Sequence, residues 1–152
     1  MAAYLTAAEA TTLLTSVTDT AEWTAASTAD KDYALSVATE IIDNLPLIGE
    51  KKEATQTLEF PRAVEESTLE TTMMNDVELA CALCARIMVH QSIDEIRMPL
   101  EVSSTTFGNV NVRMTNPLSS RMHLMFNIAD ARAFYILSKY IHSPRNLRIT
   151  RV

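Results

Sequence analysis

Apolar residues recur at three- and four-residue spacing through most of this chain, and most of the helical stretches they mark open or close on a local signal. Thr6 and Glu9 form a Thr-x-x-Glu capping box. Ala7, Ala10, Leu14 and Val17 then follow on one face of a first helix. A short helical turn is expected around Trp23. A longer helix is expected from about Thr28, with Asp30 in its first turn, where negative charge suits the helix dipole. Ala34, Val37, Ala38, Ile41 and Leu45 form its apolar stripe, Asp32, Ser36, Glu40 and Asp43 its wet face, and Pro46 ends it. Residues 46–67 read as a polar connection with Gly49, two lysines and Pro61, anchored by Leu58 and Phe60. A loop this long inside a compact domain is either functional or packed by its own side chains. The longest helix is expected from about Glu70 to Gln91. Met73, Val77, Ala80, Cys84, Ile87 and Met88 mark its buried stripe, and Cys81 and Leu83 widen it. Such a wide stripe predicts a central helix covered on most sides.

The period changes after Pro99. Val102 to Met114 is rich in Val and Thr and alternates at Val110, Val112 and Met114, while Phe107-Gly108-Asn109 supplies turn chemistry. A β-hairpin is expected there. Asn116-Pro117 breaks the chain, and residues 118–126 fit an extended or a helical form equally. A last helix is expected from Asn127 as N-cap, with Asp130 three positions on and Ala129, Ala133, Ile136, Leu137, Tyr140 and Ile141 on one face; Pro144 stops it. Basic and apolar residues then alternate from Arg145 to Val152, which suits an extended strand able to add to a partner's sheet or groove. The pattern predicts a mainly α fold: a small bundle of about four helices with a β-hairpin insertion near residues 102–114. It forms one domain over residues 1–142, followed by an extended C-terminal arm over residues 143–152.

At 152 residues the chain is one ordinary domain, and a domain of that size buries about 68–70% of its unfolded surface without help from disulfide or metal. Hydrophobic content of 47% and charge of 21% are globular values. No apolar run approaches the roughly 18 residues of a membrane span, so no membrane association is expected. The first residues lack the basic start and apolar core of a signal peptide, and two cysteines without such a signal point to a reducing compartment. Charge is distributed unevenly. Residues 1–101 hold 6 Lys/Arg against 18 Asp/Glu, and residues 102–152 hold 7 against one acid, Asp130. The asymmetry suggests two surfaces for different partners, or the basic end of one copy meeting the acidic body of another; the bland reading is a solvated protein with unevenly placed charge.

Candidate chemistry is sparse. The two glycines, Gly49 and Gly108, exclude a Walker loop, a dinucleotide fingerprint and a nucleophile elbow, each of which needs several glycines in a short span. Cys81-x-x-Cys84 lies mid-helix on an apolar face with no second pair at metal spacing, so two buried free thiols are expected. His90, His123 and His142 are far apart and read as surface or cap residues. Glu65-Glu66 and Asp94-Glu95 read as solvated pairs, and the eight methionines as core filling. No catalytic residue, metal ligand or cofactor is expected. Nucleic-acid binding is the remaining chemistry: the acidic body would repel a phosphate backbone, whereas the basic C-terminal part could bind it but has few aromatics for stacking on bases.

A resemblance covers nearly the whole chain. Its elements are Tyr4-Leu5-Thr6-x-x-Glu9-Ala10, Trp23, Ala29-Asp30-Lys31 with Ala34-Leu35 and Ala38-Thr39, then Gly49-x-Lys51. After them come Gln56-x-Leu58-x-Phe60-Pro61-Arg62, Glu78-Leu79-Ala80, Gly108-x-Val110-x-Val112 and Leu137-Ser138-Lys139-Tyr140-Ile141. In this order they resemble the head–tail adaptor (connector) proteins of tailed bacteriophages, relatives of which are often labelled DnaT-like single-stranded-DNA-binding proteins. The Gln-x-Leu-x-Phe-Pro-Arg segment is the most specific element. Ser67-Thr68 depart from the pattern, which has a proline ahead of the long helix.

The resemblance implies a structural virion protein without enzymatic activity. It would form a ring, dodecameric in this family, at the head–tail interface after assembly in the host cytoplasm. Implied partners are the portal protein, a tail nozzle or stopper protein, neighbouring copies in the ring, and double-stranded DNA passing through without specific binding. The alternative is a protein that binds single-stranded DNA. Candidate partner-binding residues are Arg145, Leu147, Arg148, Ile149, Arg151 and Val152 on the arm, with Phe107 and Asn109 on the hairpin. Ordering ten arm residues costs roughly 10–15 kcal/mol of backbone entropy. Exposed ion pairs at ~0–1 kcal/mol each cannot offset that. Leu147, Ile149 and Val152 must therefore find pockets, or the arm's backbone must pair with strands.

Overall fold

The computed structural model describes residues 2–63, 70–90, 104–107, 110–113 and 126–142, with backbone alone for the two four-residue segments. Among these residues the architecture is mainly helical, as expected. α1 (Ala7–Leu14), α2 (Ala21–Ala25), α3 (Thr28–Asp43) and α4 (Glu70–Met88) precede α5 (Ala131–Leu137), which tightens into a 3-10 turn over Ser138–Tyr140. β1 (Glu50–Lys51) pairs antiparallel with β2 (Arg62–Ala63), a two-residue ladder that the polar pattern of the loop does not announce. β3 (Ser104–Phe107) pairs antiparallel with β4 (Val110–Arg113), with Ser104 opposite Arg113 and Phe107 opposite Val110, so the expected hairpin is present. The proposed arm, residues 143–152, lies outside the described residues.

Helix starts follow side-chain chemistry. Thr6 and Glu9 make the full capping box, the Thr6 amide donating to Glu9 at 2.8 Å. Ser27 caps α3 by accepting from the Asp30 amide at 3.2 Å. The last helix corrects the sequence reading: Asn127 is not its cap but sits in a turn at φ 60°. Asp130 caps it instead, accepting from the amides of Arg132 (2.6 Å) and Ala133 (3.3 Å). The physical reason lies across the core, where Arg86 of α4 donates to the other Asp130 oxygen at 3.1 Å and fixes the carboxylate at that helix start. α4 is also shorter than expected, giving way to a turn at Val89 and His90.

The buried line of α3 is Ala34, Leu35, Ala38, Thr39 and Ile42, with Val37 and Ile41 only half-buried. It is turned by one position from the expected stripe because Thr39 is a contact residue. Its hydroxyl lies 3.6 Å from the Cys81 sulfur of α4 and accepts from the Tyr4 amide at 3.3 Å. α4 is the central element. Every residue from Ala80 to Ala85 is buried, and α3 and α5 pack on it most extensively, with α1 and α2 beside them. Five of those six residues are Ala or Cys, Leu83 being the exception, and such small side chains let neighbouring backbones come close. Trp23 closes the α1 side, its indole N–H donating to Thr11 at 3.0 Å. Cys81 and Cys84 are both free and buried, and desolvation pushes both thiols up to about 12.

Leu83→Ala is expected to destabilise the protein by about 2–5 kcal/mol in urea unfolding, since the side chain is fully buried in the core. The two thiols should not react with a disulfide reagent at mildly alkaline pH until the protein is unfolded, when both should react. Rapid modification of the native chain would contradict this packing.

Candidate functional site

The connection between α3 and α4 is packed by its own side chains, and the most specific motif of the sequence does that packing. The Gln56 amide nitrogen donates to the carbonyls of Leu58 (2.9 Å) and Pro61 (3.0 Å), curling the loop on itself. Leu58 is half-buried and Phe60 is buried, so both expected anchors are anchors. The Phe60-Pro61 bond is cis. Arg62 clamps the far side: its Nε donates to the Ile48 carbonyl at 2.9 Å, and its terminal nitrogens reach the Gly49 carbonyl and the Glu59 carboxylate. Gly49 itself sits at φ 74°, where a side chain would be strained. Lys51 adds a second cation to Glu59 at 3.0 Å. Burial acts to raise the Glu59 pKa, but Lys51 and Arg62 together bring it below the usual glutamate value.

This loop ties the two ends of the described body together. Phe60 packs edge-on against Tyr4 and Tyr140, with ring centroids 6.2 and 5.7 Å away. The Phe60 amide donates to the Tyr4 hydroxyl at 3.2 Å, which in turn donates to Asp43. Asp43, assigned to a wet face from sequence, is thus a half-buried acceptor that also receives the Glu59 amide at 3.3 Å. Burial raises its pKa above the usual aspartate value despite these donors. Burial and the neighbouring carboxylates push the phenols of Tyr4 and Tyr140 far up, so both remain donors. Tyr140 donates to Asp76 at 2.7 Å, its carbonyl accepts from Ile48, and Leu47 bridges to Ile141.

The charged surface has a simple pattern. Seven Lys and Arg side chains are described, against fourteen Asp and Glu. Five of the seven already hold carboxylates of the same body: Lys51 and Arg62 on Glu59, Lys52 on Glu70, Arg86 on Asp130 and Asp19, and Lys139 on Asp76. Lys31 stands 5.6 Å over the Trp23 ring. Arg132 makes no ion pair among the described residues. Two large hydrophobic side chains are exposed, Tyr33 at 72% and Tyr135 at 81%.

The sequence-predicted contact residues fall largely beyond this body. Phe107 is the last residue of β3, opposite Val110. Asn109, Arg145, Leu147, Arg148, Ile149, Arg151 and Val152 lie outside the described residues, as do Glu65, Glu66, Asp94, Glu95 and His123. His90 is exposed, 3.8 Å from Glu22, and His142 is exposed with its amide bonded to the Pro46 carbonyl. Among the described residues no group of His, Cys, Asp or Glu is placed to hold a metal ion, and no helix is long and apolar enough to cross a membrane. Sequence reasoning missed the Arg86–Asp130 pair, the Asp43 acceptor and the exposed tyrosines. Tyr33 and Tyr135 could have been found, since both stand off the apolar stripe of their helices. The pairing of Arg86 with a residue 44 positions away carries no local signal.

Set against known proteins, the chain matches a family model described as "Putative DnaT-like ssDNA binding protein" over residues 1–152. Comparison with curated proteins and with solved structures yields no match.

The loop clamp makes a pH prediction. A carboxylate whose folded pKa is lowered adds stability that is present above its unfolded pKa and is lost as pH falls through the folded one. Glu59→Gln should therefore cost about 1 kcal/mol at neutral pH, and the difference from the parent chain should vanish in acid. Arg62→Ala should cost about 2 kcal/mol by leaving the Ile48 and Gly49 carbonyls short of a donor, and Arg62→Lys should not restore it, because an ammonium lacks the fork. Urea titrations across the acid range check both.

Proposed function

The chain belongs to the DnaT-like family, whose model spans residues 1–152, and we propose that it is a non-enzymatic binding protein and, more finely, from the sequence resemblance and its charge pattern, a head–tail adaptor. In this reading it forms a ring, assembled in the host cytoplasm and retained in the virion, that joins a portal protein to a tail nozzle or stopper and continues the channel for double-stranded DNA. The observation that carries it is the internal pairing of the body's cations. With five of seven described Lys and Arg held by its own carboxylates, the body offers a phosphate backbone little counter-charge. A surface of that sign suits a passage through which DNA slides without adhering. Partner contacts then fall to the arm, with Arg145, Arg148 and Arg151 alternating with Leu147, Ile149 and Val152, and to Phe107 and Asn109 of the hairpin region. Repetition around a ring multiplies a modest affinity per copy.

A second reading is favoured by the family description: the chain binds single-stranded DNA. The family match speaks for this second reading and not for the adaptor, which rests on the sequence resemblance and the charge pattern. Binding would use the basic residues beyond position 101, with Tyr135 as an exposed aromatic for stacking.

Native mass spectrometry of the full chain mixed with the portal protein of the same genome separates the two. The adaptor reading expects a complex with a dodecamer of added chains, lost when Arg145, Arg148 and Arg151 are all changed to Ser. It also expects weak binding of oligothymidine at physiological salt. No complex with the portal, together with tight oligonucleotide binding that falls steeply with salt, would sink the adaptor reading in favour of the second.

A further inference from the structure

The two exposed tyrosines sit in opposite electrostatic settings. Tyr33 borders an open groove of about 630 Å³ between the N-terminal segment and α3, lined in part by Thr6, Glu9, Asp32 and Ser36. Asp32 is exposed and makes no ion pair among the described residues, and the groove holds no cation in its lining. Tyr135 stands on the outer face of α5 one turn from Arg132, which is exposed and also without an ion pair there. A single exposed tyrosine is ordinary. Here, each is accompanied by an unpaired charge, and the two charges are of opposite sign, in a body where most other cations are already matched.

Placement separates the two patches. α3 contacts α4 through Thr39 and Leu35 at Cys81, while α5 is held to α4 through Asp130 at Arg86 and through the neighbouring Tyr140 at Asp76. These contacts lie on different faces of α4, so among the described residues the groove and the α5 face are distinct surfaces, each with an exposed tyrosine.

We propose that the outer face of α5, carrying Arg132 and Tyr135, docks into the groove beside Tyr33 on a second copy of this chain, with Arg132 meeting Asp32. The guanidinium can pair with that carboxylate while its plane lies against the Tyr33 ring, a combination that suits arginine better than lysine. The contact is heterologous: a copy that uses its α5 face keeps its groove free, so assembly continues past a dimer and stops only if the array closes. α5 is about 10 Å long, so the face it offers is smaller than the ~800 Å² per partner of a standard interface. One such contact is therefore weak, and assembly depends on concentration. The inference deepens the ring reading and rests on it for closure, but the contact itself is tested without any portal protein.

Sedimentation velocity of the full chain over a wide concentration range should show species larger than dimers, shifting toward monomer as salt is raised. Tyr135→Ser alone and Asp32→Lys alone should remain monomeric, with unchanged thermal unfolding because both side chains are exposed. An equimolar mixture of these two variants should stop at a mass of two chains, since one supplies the intact groove and the other the intact α5 face. A parent chain that stays monomeric throughout, or variants that assemble as the parent does, would overturn the contact. So would a Tyr135→Ser variant that assembles normally but loses oligothymidine binding, which would make α5 a nucleic-acid surface. Repeating the portal mixture with the same variants keeps the questions apart: a chain that self-associates as described yet never binds portal sinks the adaptor reading alone.

Discussion

A helix enclosed on most sides can carry no charged residue and few large ones where its neighbours approach, and α4 follows that constraint from Ala80 to Ala85, where Leu83 is the one large side chain. The rest of the body is arranged around it. Small side chains at Ala80, Ala82 and Ala85 let other helices come near, and Cys81 and Cys84 fill space as compact hydrophobes held in the thiol form by desolvation. The charge that α4 does carry near its end, Arg86, is matched across the core by Asp130, and that match decides where α5 begins. Removing one member of such a pair leaves the other charge poorly solvated, which makes the pair a point of registration between distant parts of the chain.

The hydrophobic period of the sequence carries the helical elements well, because a 3.6-residue repeat is a local property. The capping box at Thr6, the helix from Thr28 and the enclosed central helix were legible for that reason. What the period does not contain is the identity of the neighbour. The buried line of α3 is turned toward Thr39 because a cysteine 42 positions later meets it. Asp43 looks like a solvent residue until Tyr4 and the Glu59 amide arrive from either side. Asn127 has the chemistry of an N-cap, and lost the role to a carboxylate fixed from α4. The candidate contact residues were legible as a charge pattern only: most lie outside the described residues, whereas the exposed tyrosines show only as aromatic residues off the apolar stripes of their helices.

Internal ion pairing changes what the net charge of −6 means. Cations that hold carboxylates within the body do little to attract an incoming polyanion, so what another molecule meets is mostly unmatched acid. Basic charge available for association is left to Arg132 and Lys31 and, beyond the described body, to arginines such as those of the arm. Association through such sparse positive groups is steered over distances of about a Debye length and weakens with salt. Salt is therefore the variable to which any assembly of this chain should respond first.

The Gln-x-Leu-x-Phe-Pro-Arg segment has a consequence for reading descent. Its residues are engaged inward: Gln56 and Arg62 hold backbone carbonyls, and Phe60 joins two tyrosines from the opposite ends of the body. A signature of that kind is heritable as a shape and indifferent to what the shape is used for. Chains that share it can be expected to share a frame, while their surfaces drift toward unrelated partners. The most recognisable letters of this protein therefore speak for its lineage and leave its occupation to be written elsewhere on the molecule.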